Sequence, residues 1–269
     1  FFPTRRSSDL TFFGWPMTVA AADDASVMER FAHVCAREGA SVGVNWTFSP
    51  VSDLDLNFRN PITNVRTCGS DPAKAAALCG KYVETVQRDG VAACAKHFPG
   101  DGVDFRDQHL HPTYNSLSAD EWDKTYGAVY KRLIDANLLS VMAAHICQPA
   151  LSVRENPALT FADCLPGSLS PELLTGVLRG RLGFNGLIAT DATIMAGFTQ
   201  AMPRREAMPA AVMAGVDMFV FTTDFREDRQ YLLDALADGR LPPARLDEAV
   251  TRVLAPFRMF LLSYFQANI

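Results

Sequence analysis

One short segment of the chain concentrates side chains that could bind a polar ligand and transfer a proton. Residues 96–102 read Lys-His-Phe-Pro-Gly-Asp-Gly and follow an apolar run at residues 91–95, and Asp107 and His109 come shortly afterwards. Charged groups cost free energy when they leave water without a partner, so a core strand rarely ends in this many of them. We therefore predict that this segment builds a site that holds hydroxyl groups and moves a proton.

Asp107 and His109 are the predicted proton-transfer pair. In an extended loop, side chains two residues apart project to the same side. The Asp107 carboxylate could then orient the His109 imidazole, and imidazole exchanges a proton readily near neutral pH. The alternative is that both are ordinary polar residues of a loop, which is how we interpret His111.

The elements that must position these residues alternate between helical and strand patterns. Five apolar stretches predict strands, at residues 41–48, 91–95, 138–144, 186–190 and 216–221. Unbroken apolar strands separated by helices are typical of a parallel sheet buried on both faces. Polar residues follow each stretch, and in a barrel of eight parallel strands these positions share the face that carries active sites.

This pattern predicts an α/β fold, a (β/α)8 TIM-type barrel that is incomplete at its N-terminus. Five strands are recognisable, whereas a closed barrel of this type has eight. Residues 1–10 show no hydrophobic period and no helix cap, so we expect a non-native or disordered leader there. Residues 11–269 contain no repeat, low-complexity tract or linker, which predicts one domain.

The composition limits the partners of the chain. A net charge of −5 and scattered basic residues argue against nucleic acid as a partner. No apolar run approaches the ~20 residues that span a bilayer, so we expect no membrane association. The six cysteines form no CxxC pair and lie mostly in apolar segments, which predicts free thiols and a reducing, cytoplasmic location. The oligomeric state is not indicated by the sequence.

Five short motifs carry a resemblance to a known family. They are Lys-His-Phe-Pro-Gly at 96–100 followed by Asp-x-His at 107–109, Phe-Ser-Pro-Val-Ser-Asp at 48–53, the loop at 60–69, the strand at 186–191, and Ala-Gly-Val-Asp-Met at 214–218. Their order and spacing resemble the family 3 glycoside hydrolases, in particular the bacterial β-N-acetylglucosaminidases of the NagZ type. Position 101 departs from the pattern, because many relatives carry His where this chain has Asp.

The resemblance implies a retaining mechanism with no cofactor and no metal. It implies that Asp191 is the nucleophile and that His109, assisted by Asp107, is the acid/base. The residues expected to bind the sugar substrate are Lys96, His97, Arg66 and Asp53. Asp191 also follows an apolar strand, where a carboxylate without a function would be costly, although it could instead cap a helix.

We therefore expect a retaining glycoside hydrolase that releases terminal β-linked N-acetylglucosamine from cell-wall muropeptides or related oligosaccharides. We also expect the loop at 101–111 to be mobile and to carry His109 over the bound sugar. For Lys96 and Arg66, the alternative is an ion pair with Asp53 or with Asp55.

Three other functions stay open at this stage. One is a metal-dependent barrel hydrolase, whose ligands would be His97, Asp101, Asp107, His109 and His111. Another is a catalytically silent carbohydrate-binding fragment. The third is a β-glucosidase of the same family.

Overall fold

The structure is a computed structural model that describes residue 11 and residues 13–267, with side chains up to residue 255. The predicted leader at residues 1–10 lies outside the described residues. The strands of the described part are β1 (Trp46–Thr47), β2 (Ala92–Phe98), β3 (Thr113–Tyr114), β4 (Ser140–Ala143), β5 (Ile146–Cys147), β6 (Leu187–Ala192) and β7 (Met218–Val220). Five of them form one parallel sheet in the order β1-β2-β4-β6-β7, and β3 pairs with β5 separately.

Helices surround this sheet. They are α1 (Pro16–Ala21), α2 (Ala25–Ser41), α3 (Pro72–Arg88), α4 (Ala119–Trp122), α5 (Ala128–Asp135), α6 (Pro149–Glu155), α7 (Ala196–Thr199), α8 (Arg204–Ala214), α9 (Phe225–Ala237) and α10 (Pro243–Ala267). Two further segments, Asp123–Gly127 and Glu172–Arg181, are π-helical. Helical crossovers join the parallel strands, as parallel pairing requires. The arrangement is part of a (β/α) barrel, which confirms the predicted incomplete TIM-type fold.

Two helix starts follow directly from local sequence. Asp71 accepts hydrogen bonds from the backbone N–H groups of Ala73 and Lys74, at 2.8 and 3.1 Å, ahead of a proline in the first turn of α3. Ser118 and Glu121 form a reciprocal capping box at the start of α4. An acidic residue before a proline, and Ser followed by Glu three residues later, are thus the local patterns at which α3 and α4 begin.

The strand predicted over residues 41–48 is wrong in its first half. Helix α2 continues to Ser41, and Gly43 then turns the chain with a φ of +85°, so strand pairing begins only at Trp46. Val42 is 65% exposed, so it does not contribute to the apolar core that its sequence position suggested. Apolar residues alternate here as they do in a strand, although the stretch contains the end of a helix and a turn.

Aromatic side chains support the loop that follows β2. The ring of Phe98 packs edge-to-face against those of Trp122 and Tyr130, with centroids 6.1 and 5.1 Å apart. The indole N–H of Trp122 donates to the Pro99 carbonyl at 2.7 Å, and the Tyr126 hydroxyl donates to the Asp101 carbonyl at 2.6 Å. These buried contacts fix the backbone at 98–101 relative to the neighbouring helical layer.

Two glycines of this loop are required by space as well as by conformation. Gly100 and Gly102 have φ values of +126° and +103°, where L side chains are strained. A Cβ atom at Gly100 would lie 2.3 Å from the Tyr126 ring, and one at Gly102 would lie 1.9 Å from the Leu54 carbonyl oxygen. The backbone at these two glycines therefore packs directly against the Tyr126 ring and the Leu54 carbonyl, with no room for a side chain.

The predictions about cysteines and membrane spans can also be compared with the structure. All six cysteines are free thiols, as predicted. Among the described residues, no helix combines the length and the apolar character that crossing a bilayer requires.

Candidate active site

Asp53 and His97 form a buried pair where the sheet meets its polar loops. Asp53 Oδ2 lies 2.6 Å from His97 Nδ1, and Asp53 Oδ1 accepts the backbone N–H groups of His97 and Asp101 at 3.0 and 2.8 Å. Burial acts to raise the pKa of Asp53, but the positive character of His97 and these hydrogen bonds lower it below its ordinary value. The carboxylate is thus anionic, and it holds the imidazole in one orientation.

This geometry corrects one predicted role. Asp53 is predicted from the sequence to bind substrate, but both of its carboxylate oxygens have protein partners and its side chain has no exposed surface. Asp53 therefore acts on His97, whose Nδ1 it occupies, and leaves the opposite ring nitrogen for other contacts.

Asp101 extends this buried network toward the next loop. Its Oδ1 accepts from the Asn60 amide at 2.8 Å and from the Gly102 backbone N–H at 2.7 Å, and its Oδ2 lies 3.3 Å from Gln108 Nε2. Burial and the nearby Asp53 carboxylate raise the pKa of Asp101 to about 6. Asp101 therefore changes its charge within the range in which many enzymes work.

Gln108 is a site residue that the sequence analysis did not identify. It lies between Asp107 and His109 in the sequence, and its side chain is fully buried. Its Nε2 donates to Asp101, its Oε1 accepts the His145 backbone N–H at 3.0 Å, and its carbonyl accepts the Gly197 N–H at 3.1 Å. No local signal identified it, because residues 107–111 form a turn in which the Leu110 and His111 N–H groups donate to the Asp107 carbonyl at 3.0 and 2.9 Å.

Asp107 and His109 lie side by side, as predicted, but a turn brings them together and the expected extended loop is wrong. Asp107 Oδ1 is 2.5 Å from His109 Nδ1 and accepts the His109 backbone N–H at 2.8 Å. Because a carboxylate only accepts, His109 Nδ1 carries a hydrogen and Nε2 is the position at which a proton is exchanged. The His109 side chain is half exposed, so Nε2 is open to a ligand.

The loop that bears His109 is attached to the segment that follows β6. The Ala196 N–H donates to the His109 carbonyl at 3.0 Å, next to the bond between Gly197 and Gln108. A Cβ at Gly197 would lie 2.6 Å from the His145 carbonyl oxygen, so the approach is too close for any other residue. The predicted swing of residues 101–111 stays a prediction, and it requires these bonds to break or α7 to move with the loop.

Asp191 lies at the end of β6, on the side of the sheet where that attachment occurs. It is partly buried, and its Oδ1 accepts the Ala192 N–H at 2.7 Å. Burial acts to raise its pKa, but the electrostatic influence of His97 and His145, the hydrogen bond from the Ala192 N–H and the charge of Lys96 together outweigh that effect, so the pKa is lowered. The alternative of a helix cap is wrong, because Asp191 belongs to the strand and α7 is preceded by Met195.

Lys96 and Arg66 add positive charge to the same region. Burial, and then the charge of Arg66, lower the pKa of Lys96, and the Lys96 ammonium lies 5.9 Å from the Phe48 ring centroid. The Arg66 guanidinium donates to the Ile62 carbonyl at 2.9 Å. Within the described part of the chain, neither cation forms the ion pair with Asp53 or Asp55 that was the alternative to substrate binding. Their charges are thus available to a ligand.

His145 is a buried residue that contacts the backbone next to Asp191. Its Nε2 lies 3.1 Å from the Ala192 carbonyl and its Nδ1 lies 2.7 Å from the Ser168 hydroxyl. Burial lowers the pKa of His145 to about 4, so the ring is neutral at physiological pH. The carbonyl can only accept, which places the single ring hydrogen on Nε2 and makes Ser168 the donor to Nδ1. His145 therefore fixes the backbone next to Asp191.

The residues weighed as metal ligands do not converge. In the described residues, no group of three or more His, Cys, Asp or Glu side chains is arranged to hold an ion. His97 and His109 each direct Nδ1 to a different aspartate. The geometry gives no support to the metal-dependent alternative.

Comparison with known proteins places the chain. Residues 4–255 match the model of the glycosyl hydrolase family 3 N-terminal domain. A β-N-acetylglucosaminidase/β-glucosidase of Cellulomonas fimi is 49% identical over 247 residues, which cover 92% of this chain and 44% of that protein. A β-hexosaminidase of Chromobacterium violaceum is 34% identical over 232 residues, covering 86% of this chain and 60% of the relative.

Solved structures agree with this placement. A β-glucoside phosphorylase is 49% identical and superimposes with a TM-score of 0.92, covering 95% of this chain and 46% of its own. A family 3 β-N-acetylglucosaminidase from Paenibacillus is 30% identical with a TM-score of 0.88, covering 97% and 48%. The chain thus spans about half the length of the first relatives that it matches. On its motifs, its fold and this family match, the chain belongs to the N-terminal domain family of the family 3 glycosyl hydrolases.

Proposed function

We propose that the chain carries the catalytic site of a retaining β-N-acetylhexosaminidase. The observation that carries the proposal is the attachment of the Asp107–His109 loop to the segment directly after Asp191. It brings an anionic carboxylate and an exposed, carboxylate-oriented imidazole to the same edge of the sheet. Those are the two groups that retaining glycoside hydrolysis needs.

In the first step, an Asp191 oxygen attacks the anomeric carbon of the sugar and the glycosidic C–O bond breaks. His109 Nε2 gives its proton to the departing oxygen, while Asp107 stabilises the imidazolium through Nδ1. In the second step, a water gives its proton to His109 and attacks the anomeric carbon. The bond to Asp191 breaks, and the sugar leaves with its original configuration.

Lys96, Arg66 and the second ring nitrogen of His97 would bind the sugar in this scheme. Their charges act on one another or on Asp191, which supports a common location. The terminal sugar would be β-linked N-acetylglucosamine, consistent with the β-hexosaminidase names of the relatives. Cell-wall muropeptides or related oligosaccharides in the cytoplasm are the proposed natural substrates, and six free thiols support a reducing compartment.

Phosphorolysis is a second candidate for the same site. The similar solved structure is titled a β-glucoside phosphorylase, and the proposed acid/base here is an imidazole instead of a carboxylate. An imidazole at this position repels an anionic acceptor less than a second carboxylate would. Phosphate would then replace water in the second step, and the product would be a sugar 1-phosphate.

One set of assays tests both candidates and the choice of sugar. The chain, and any longer gene product that contains it, would be given aryl β-N-acetylglucosaminide and aryl β-glucoside, with and without inorganic phosphate. We expect turnover of the N-acetylglucosaminide that Asp191→Asn abolishes. Preference for the glucoside would reassign the substrate, and a phosphate-dependent sugar 1-phosphate would select phosphorolysis. Binding of N-acetylglucosamine without any turnover would leave a carbohydrate-binding protein.

A further inference from the structure

Two buried cysteines lie in contact beside the candidate sugar-binding loops. Cys68 Sγ and Cys79 Sγ are 3.8 Å apart, and the two residues are 5% and 1% exposed. Cys79 lies within α3, whereas Cys68 lies in the loop that precedes this helix. In contrast, the Cys147 thiol donates to the carbonyl of Cys164, at 3.6 Å, and not to its sulfur. The first pair thus has its two sulfur atoms in van der Waals contact.

The environments of the two sulfur atoms differ. The contact with the Cys79 sulfur, with help from the Lys74 ammonium, lowers the pKa of Cys68 despite burial. The same contact, together with burial, raises the pKa of Cys79. Burial raises the pKa of Cys94 and of Cys147 to about 12. Cys68 is therefore the sulfur with thiolate character, and thiolates are the species that oxidants attack.

The pair joins the segments that shape the site. Cys68 comes two residues after Arg66, and the next carbonyl, that of Gly69, accepts the Asp55 N–H at 3.1 Å. The Cys79 thiol donates to the Val51 carbonyl at 3.7 Å. A covalent bond between the sulfurs would therefore fasten the Arg66 loop to α3, at the point where α3 contacts Val51, which pairs with Lys96.

We propose that Cys68 and Cys79 are a redox modification site, in which hydrogen peroxide closes a reversible disulfide that restrains residues 64–71. This chemistry does not depend on the proposed glycosidase activity. Its consequence for ligand binding, through Arg66, does rest on that function.

The reaction balances with peroxide as the only oxidant. The Cys68 thiolate attacks one peroxide oxygen, the O–O bond breaks, hydroxide leaves, and Cys68 becomes a sulfenic acid. Sulfenic acid is neutral, so the charge that raised the pKa of Cys79 disappears. The Cys79 thiolate then attacks the Cys68 sulfur, the S–S bond forms and a second hydroxide leaves. The two thiol protons convert both hydroxides to water, and the two sulfurs together lose two electrons.

Thiol mapping of the whole chain tests this proposal. Reduced protein would be treated with hydrogen peroxide, alkylated, and digested without reductant. We expect a cross-linked peptide pair containing Cys68 and Cys79, formed about tenfold or more faster than oxidation of Cys94 or Cys147. Dithiothreitol should restore both thiols. Cys147→Ala serves as the matched control and should leave the cross-link unchanged, whereas Cys79→Ser should stop at a Cys68 sulfenic acid that dimedone traps.

Hydrogen exchange measures the restraint. Backbone exchange at residues 64–71 should slow about tenfold on oxidation and recover on reduction, because the disulfide removes open states of the loop. Equal oxidation of all six cysteines, or a disulfide between other partners, would overturn the modification site. Unchanged exchange in a cross-linked sample would overturn the restraint. Because wild-type mapping already decides the first point, the proposal does not depend on the folding of a serine variant.

Discussion

The molecule contains two histidine–aspartate pairs that share a contact and differ in their surroundings. In both, Nδ1 of the ring meets an aspartate oxygen, at 2.6 Å for His97 and Asp53 and at 2.5 Å for His109 and Asp107. The side chains of the first pair are 5% and 0% exposed, and those of the second are 50% and 22% exposed. The same bond therefore fixes a buried ring in one region and orients an exposed ring, the proposed proton donor, in the other.

The energetics of the two pairs should differ in the same way. Removing one partner of a buried pair leaves a desolvated group without compensation, which costs several kcal/mol. Exposed pairs contribute little to stability, because water replaces the lost contact. Removing a partner of the buried pair should thus change the free energy of unfolding, whereas removing a partner of the exposed pair should change the turnover rate.

The largest expected effect belongs to the exposed ring. His109→Ala should lower turnover of a glycoside with a natural leaving group by about 10²–10⁴-fold, because no proton then reaches the departing oxygen. An aryl glycoside with a good leaving group should lose far less, since it departs without protonation. Steady-state kinetics on the two substrates checks this. Equal losses on both would remove His109 from the acid role and would make the two pairs alike.

The next effect belongs to the buried carboxylate. Asp53→Asn should lower the free energy of unfolding by about 3 kcal/mol, because the His97 ring and the Asp101 N–H lose a charged acceptor. Urea unfolding measures this change. Asp107→Asn is the matched control and should stay within about 1 kcal/mol of wild type. A similar loss in both variants would contradict the distinction drawn from burial.

The pH dependence of stability tests a second buried carboxylate, that of Asp101. The pKa of Asp101 in the folded chain is raised from 3.8 to about 6, so its ionised form is disfavoured there. Its contribution to stability is therefore complete below about pH 4 and is lost as the pH rises through about 6, by on the order of 2–3 kcal/mol. The difference in unfolding free energy between wild type and Asp101→Asn, measured across this range, should fall accordingly. A difference independent of pH would show that Asp101 does not titrate there.

The smallest effect concerns the partner of the exposed ring. Asp107→Asn should lower turnover of the natural glycoside by about tenfold, because an amide orients the ring but stabilises its charged form less. The pH profile of turnover should shift, while KM for an activated glycoside stays near that of wild type. An unchanged profile would reduce Asp107 to a loop residue, the alternative weighed for it.

The sequence predicted the parts of this molecule that depend on local patterns. The glycines and the proline of residues 96–102 are the residue types that a sharply bent loop needs, and Asp71 and Ser118 are the types that cap a helix start. Apolar runs located the central strands to within a few residues. These features depend on short-range sterics and hydrogen bonding, which a single sequence expresses directly.

What the sequence did not predict depends on contacts between distant segments. Gln108 looks like a neutral spacer until His145 and Gly197 are brought to it, and Asp53 looks like a surface ligand until two loops close over it. Asp217 likewise is only one residue of the 214–218 motif when the sequence is considered alone. In the structure it accepts from the Ile188 N–H and pairs with Arg179 at the start of β6.

The joint between the His109 loop and α7 has a consequence for how this half-barrel can be rearranged. Chimeras of barrel enzymes are usually cut between successive strand–helix units, on the premise that each unit brings its own chemistry. Here one crossover placed between β2 and β6 would separate the proposed proton donor, His109, from the Ala196 and Gly197 backbone amides that bond to its loop. Shuffled hybrids should therefore retain a working spacing of the two reactive groups only when both units come from one parent.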